Sequence, residues 1–132
     1  MTLVDTSVWI DYFNGNRSVK TDYLNEILSD EIVLIGDIIL AEILQGFRED
    51  SDFRKAKKAL NHLECVHLGG KELAIKAASN FRKLRSKGIT IRKTVDMLIA
   101  SWCIESGVPL LENDKDFERI SSQLPLQLVD PG

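Results

Sequence analysis

Four acidic side chains stand where a folded chain seldom leaves a charge without compensation. Asp5 ends the first apolar run, Leu3-Val4, and Thr6 and Ser7 follow it at once. Glu42 interrupts the apolar stretch IILAEILQG. Asp96 falls one turn into TVDMLIASW, part of the most hydrophobic helical segment of the chain. Asp114 follows VPLL after Glu112 and Asn113. Burying a carboxylate costs several kcal/mol unless something pairs with it. Each has a plain structural reading when taken singly. Asp5 can cap a helix, Glu42 can be a paired half-buried acid, Asp96 can answer a helix dipole, and Asp114 can sit in a turn or first helical turn. Taken together they describe a pocket of carboxylates. Like charges that close cannot all ionise without a cation. Oxygen donors of this kind suit Mg²⁺ or Mn²⁺ rather than zinc. Such a pocket is equipped for phosphodiester hydrolysis by metal-activated water. Thr6 or Ser7 adds a hydroxyl, either to the ion or to orient Asp5.

The elements that must position these acids alternate along the chain. Thr2–Val4, IVLI (32–35), CVHL (65–68), VPLL (108–111) and LQLV (126–129) read as short, continuously apolar strands. Between them lie helical periods. The first is capped by Thr6 or Ser7 and stopped by NGN; the second is SVKTDYLNEILSD. IILAEILQGF follows with Asp37 as its cap, then a helix over about 52–63 and a long one over about 71–87. Thr94 caps VDMLIASWCIES, which ends at Gly107, and NDKDFERIS is a last short helix. Buried strands alternating with helices predict an α/β domain with a parallel sheet covered on both faces. The whole of residues 1–132 reads as a single domain without repeats or linkers. In such sheets ligands bind beyond the carboxyl ends of the strands, which is where Asp5, Asp37 and the 112–114 segment fall.

The net charge of −3 argues against holding nucleic acid by bulk charge. A local exception runs from Arg82 to Lys93, with Arg82, Lys83, Arg85, Lys87, Arg92 and Lys93 and no acid. Its functional reading is that Arg82, Arg85, Arg92 and Lys93 contact RNA phosphates. Its plain reading is a solvated helix end. Cys65 and Cys103 lack metal or redox spacing and read as reduced core residues of a cytoplasmic protein. His62 and His67 read as structural, and Trp9 and Trp102 as packing residues. No apolar run reaches membrane-spanning length, and no secretory signal is visible.

Four segments, VDTSVWIDYF, AEILQG, GITIRKTVDMLIA and LLENDKDFERI, resemble a PIN domain of the VapC toxin type, in order and spacing from Leu3 to about Leu128. The resemblance implies a three-layer α/β/α fold around about five parallel strands. It implies an Mg²⁺- or Mn²⁺-dependent endoribonuclease that acts as the toxin of a toxin–antitoxin pair. Asp5, Glu42, Asp96 and Asp114 match the family's metal-binding acids, and Thr6 its hydroxyl, with Ser7 beside it. The implied partners are a VapB-type antitoxin, an RNA substrate and a second copy of the chain. Glu112 departs from the pattern, since Thr or Ser is usual there. It is thus a ligand, a spectator or a modifier of metal affinity. Asp116 either backs up Asp114, contacts a second metal, or stabilises the helix three residues after Asn113 in the manner of a capping box, and the capping reading is preferred.

Two rivals come from other classes. A catalytically inactive PIN-like module would use the acidic pocket only to recognise a partner protein or RNA. A phosphotransfer enzyme would show a Gly-rich phosphate loop or a second acid two residues after Asp5. Ser7 occupies that position, which disfavours the phosphotransferase. No side-chain nucleophile motif is present.

Overall fold

A computed structural model describes all 132 residues. Four short strands form one parallel sheet: β1 (Thr2–Val4), β2 (Val33–Gly36), β3 (Glu64–Val66) and β4 (Leu110–Leu111). Their spatial order is β3-β2-β1-β4. Register pairs Leu3 with Leu34 on one side and with Leu110 on the other. Every residue of β1, β2 and β4 is buried, the mark of a sheet covered on both faces. The edge strand β3 leaves Glu64 and Cys65 exposed, so Cys65 is not the core residue expected, whereas Cys103 is.

Seven helices connect the strands: α1 (Thr6–Phe13), α2 (Val19–Asp30), α3 (Asp37–Gln45), α4 (Asp50–Leu60), α5 (Lys71–Ser86), α6 (Thr94–Ser106) and α7 (Lys115–Ser121). The chain steps from β1 outward through β2 to β3, then returns past β1 to β4. Right-handed crossovers therefore place α1–α4 and α5–α6 on opposite faces. Packing follows that division: α1 meets α2 and α3, while α5 packs along α6 and α6 meets α7. One cluster of 26 buried apolar residues runs through the sheet and both helix groups. Gly36 is required where β2 meets the chain after β3. A Cβ there would stand 2.1 Å from the Leu68 side chain.

The fifth strand expected at 126–129 shrinks to a single parallel bridge, Leu110 with Leu128. Its hydrogen bonds run from Leu110 N to Gln127 O and from Val129 N to Leu110 O, both 2.9 Å. Two causes limit it. β4 is only two residues long, and Pro125 at the entry of the segment has no N–H to donate. Several caps also differ from expectation. Thr94 is the first residue of α6, and Lys93 holds the cap position without a side-chain hydrogen bond. Asp5, not Thr6 or Ser7, caps α1, since its side chain accepts from Ser7 N. Asp37 is the first residue of α3 rather than its cap. Its Oδ1 accepts from Ile38 N at 2.8 Å and Leu68 N at 2.9 Å, which ties the β2 exit to the β3 exit.

Candidate active site

The strand order reverses between β1 and β4, and in sheets of this kind the carboxyl ends at such a point are where ligands bind. Asp5 N donates to Leu111 O at 2.9 Å, so the ladder carries Asp5 and Glu112 to the same sheet edge. Asp5 is 6% and Glu112 5% exposed. Asp5 Oδ2 accepts from Ser7 Oγ at 2.7 Å and Ser7 N at 3.2 Å. Ser7 Oγ in turn accepts from Asn113 N at 3.2 Å. Ser7 thus links the β1 exit to the β4 exit through one hydroxyl.

Thr6 turns the other way. Its hydroxyl donates to Glu42 Oε1 at 2.7 Å, fixing a half-buried acid presented by α3. Two adjacent hydroxyls therefore orient two different acids. Glu112 Oε2 accepts from Asp114 N at 2.7 Å, and Asp114 Oδ1 accepts from Asp116 N at 2.9 Å as the cap of α7. Asn113 is not the cap, so the capping box expected for Asp116 does not form. Asp116 is buried and pairs instead with Arg119 at 3.2 Å.

Asp96, on α6, is 5% exposed, and its Oδ2 is buried without a hydrogen-bond partner. Burial first, then the charges of Asp5 and Asp114, push its carboxyl up to about 7, against the pull of Lys93; Asp116 adds to the rise. Burial raises Asp5 as well, opposed by the Ser7 and Thr6 hydrogen bonds and reinforced by Glu42. Burial raises Glu112, opposed by the Asp114 N–H and Lys20. These influences make one electrostatic unit of Asp5, Glu42, Asp96, Asp114, Glu112 and Asp116. The unit is open, however: no three of these side chains are placed to hold a metal ion between them. Like charges without a counter-ion have no reason to converge further.

Lys20 escaped the sequence reading. Its Nζ lies 3.9 Å from Glu112 Oε1 and brings a cation to the cluster. Nothing in SVKTD marks it, since its partner is far along the chain. Arg119 was also missed, although three residues after Asp116 is a spacing that signals a helical ion pair. Cys103 supplies no nucleophile, because burial and then the Asp5 charge push its thiol up to about 12. His67 lies 3.9 Å from Asp37 and is largely exposed, away from the acids.

Comparison with known proteins agrees with this geometry. The PIN domain model matches residues 2–123. The VapC ribonuclease Mb1587 of Mycobacterium bovis is 31% identical over 129 residues, 96% of both chains. Ribonuclease VapC1 of Methanocaldococcus jannaschii is also 31% identical, over 97% of this chain and 86% of its own. Among solved structures, VapBC2 from Rickettsia felis bound to a promoter DNA fragment superposes with a TM-score of 0.77 at 23% identity, covering 97% of this chain and 96% of that one. The DNA-bound VapBC from Salmonella typhimurium gives 0.77 at 21% identity over the full length of both. At those identities the structures speak for the fold. No helix is long and apolar enough to cross a membrane. The chain belongs to the PIN-domain family, in its VapC branch.

Proposed function

We propose that this chain is an endoribonuclease, the toxin of a VapBC-type pair, which hydrolyses RNA phosphodiester bonds with Mg²⁺ or Mn²⁺. It acts in the cytoplasm, as a homodimer, and a VapB-type antitoxin restrains it. The observation that carries this reading is Asp96: a carboxylate with an unpartnered oxygen, raised by burial and then by the charges of Asp5 and Asp114. A site of that kind is costly without a cation and well formed with one.

Asp5, Glu42, Asp96 and Asp114 would hold the ion. Their donors are all oxygen, which fits a hard divalent cation. When bound, the ion supplies Lewis-acid activation of water and neutralises charge on the phosphate. The rest falls to the protein. Ser7 and Thr6 hold Asp5 and Glu42 in orientation. Glu112 holds the 112–114 segment through the Asp114 N–H, and the charge of Asp114 acts on Asp96. A neighbouring carboxylate takes the proton of the attacking water.

The open arrangement of the acids favours a second reading, in which the pocket only receives a partner's arginine. Incubating purified protein with RNA, with and without Mn²⁺ and with chelator, separates the two. Metal-dependent cleavage that Asp96→Asn abolishes is the expected result. Absence of cleavage with any divalent ion, from protein that still binds a partner, supports the module.

A further inference from the structure

The acids of the electrostatic unit fall into two groups by the cations around them. Lys20 Nζ lies 3.9 Å from Glu112 Oε1, and Arg119 lies 3.2 Å from Asp116 Oδ1. Asp5, Glu42, Asp96 and Asp114 lie within ion-pair distance of no cation. Lys93 pulls on Asp96 without pairing with it. The rest of the basic run stands apart: Arg82, Arg85 and Arg92 are exposed and pair with no carboxylate. The two acids that own a cation are therefore the two outside the set that would hold the metal.

Hydrogen bonding follows the same division. The donors that reach Asp5, Glu42 and Asp114 are neutral: the Ser7 and Thr6 hydroxyls and the Asp116 N–H. A neutral donor orients a carboxylate and leaves its charge in place. One oxygen of Asp96 has no partner at all. Glu112 is engaged on both sides, since Oε2 accepts from Asp114 N while Oε1 faces Lys20. Asp116 accepts from Arg119, whose guanidinium also donates to Thr90 O at 3.4 Å and is anchored by it. Glu112 and Asp116 are both buried, and a charge so placed needs a partner close by.

We propose that Lys20 and Arg119 are fixed counter-ions that keep Glu112 and Asp116 out of the metal's ligand set and thereby set its affinity. Each cancels one carboxylate charge beside the site, so that a divalent ion meets the charge of Asp5, Glu42, Asp96 and Asp114 alone. The proposal rests on the metal-dependent reading given above. Lys20 and Arg119 are positioning residues in it: they act through the acids they hold and touch neither ion nor RNA. Fixed charges near a cation site alter its affinity through space, and a pair that only stabilises the fold does not.

The test is a calorimetric titration of the full chain with MnCl₂ at pH 8, without RNA, so that cleavage plays no part. Lys20→Met keeps the apolar stem and removes the charge. It should bind Mn²⁺ roughly tenfold tighter, because Glu112 then adds its charge to the site. Glu112→Gln keeps the bond to Asp114 N and should bind roughly tenfold weaker, because Lys20 then repels the ion; most of its cleavage rate returns at saturating Mn²⁺. Lys20→Met/Glu112→Gln, neutral at both positions, should return to wild-type affinity, and Lys20→Arg should stay there. Arg119→Met, Asp116→Asn and their combination should follow the same order. A direct ligand behaves otherwise. If Lys20→Met/Glu112→Gln binds as weakly as Glu112→Gln, then Glu112 holds the ion itself, and the proposal falls while the metal reading stands. Single variants that lower the melting temperature and leave Mn²⁺ affinity unchanged make the pairs purely structural and overturn it too. A wild type that binds no Mn²⁺ overturns the metal reading and this proposal together. Should Lys20→Met unfold through its freed carboxylate, the neutral double variant leaves no charge unpaired and still decides between wild-type affinity and the weak binding of a lost ligand.

Discussion

Glu112 accepts the Asp114 backbone N–H at 2.7 Å, so the acid that departs from the family pattern fixes the approach of the acid that keeps to it. The bond spans the turn between β4 and α7, and Lys20 offsets the charge from the far side. Any acceptor of similar reach can do this work. Glu112→Gln should therefore retain most cleavage activity. Glu112→Ala leaves the Asp114 N–H without its acceptor and should lose roughly 10–100-fold, the usual cost of removing a partner that orients a ligand. Initial rates across a Mn²⁺ titration check this. Equal losses in both variants would make Glu112 a direct ligand.

Much of this site was legible in the sequence, for a reason visible in Asp5 and Asp96. A charge inside an apolar run is a local anomaly, and anomalies of that sort need no fold to be noticed. The strand ends followed from the alternation of apolar runs with helical periods, and the switch-point rule placed the crevice. Lys20 and the Ser7–Asn113 bond were not legible. They depend on side chains meeting across 92 and 106 residues, and neither partner is unusual where it stands. Asp116 was misread because the helix start was placed one residue early, on Asn113 instead of Asp114. The fifth strand was overcounted because an apolar run shows burial but not the length of its neighbour.

Asp96→Asn separates chemistry from stability. The amide is nearly isosteric with the protonated acid and cannot carry the charge that burial penalises. Cleavage should fall to background. The metal-free variant should melt a few degrees above wild type at pH 8, about 1 kcal/mol or more, where wild-type Asp96 is ionised. At pH 5 the gap should be smaller, and it should close toward pH 3.8, below which the folded and the unfolded chain both hold the proton. Melting curves at both pH values, beside an RNA cleavage assay, decide it. A variant less stable than wild type at pH 8 would contradict the electrostatic account.

The same group sets a pH dependence for the metal-free protein. Its folded pKa, about 7, lies above the ordinary aspartate value of 3.8. Between those values the native state holds a proton that the unfolded chain has released, so stability falls as pH rises. The contribution is complete below about 3.8 and gone above about 7. Asp5 and Glu112 are raised too and act in the same direction. The melting temperature should decline from pH 5 to pH 8. Mn²⁺ added at pH 8 should restore it, because a cation bound only by the folded state stabilises by mass action. A melting temperature indifferent to Mn²⁺ at pH 8 would remove the metal site from the argument.

Thr6 and Ser7 should fail in different ways, since each hydroxyl serves its own acid. Thr6 donates to Glu42 on α3, and Thr6→Val keeps the shape while deleting that bond. Cleavage should drop roughly 10–100-fold with weaker Mn²⁺ dependence, and Thr6→Ser should recover most of it. Ser7 both donates to Asp5 and accepts from Asn113, so Ser7→Ala frees an acid and a loop together. It should cost stability as well, about 1–3 kcal/mol, because Asp5 keeps only backbone N–H partners in a buried setting. Urea unfolding of both variants gives the distinction: Ser7→Ala lowers the midpoint and Thr6→Val leaves it near wild type. A reversed order would mean that Glu42, not Asp5, is the acid whose orientation the fold depends on.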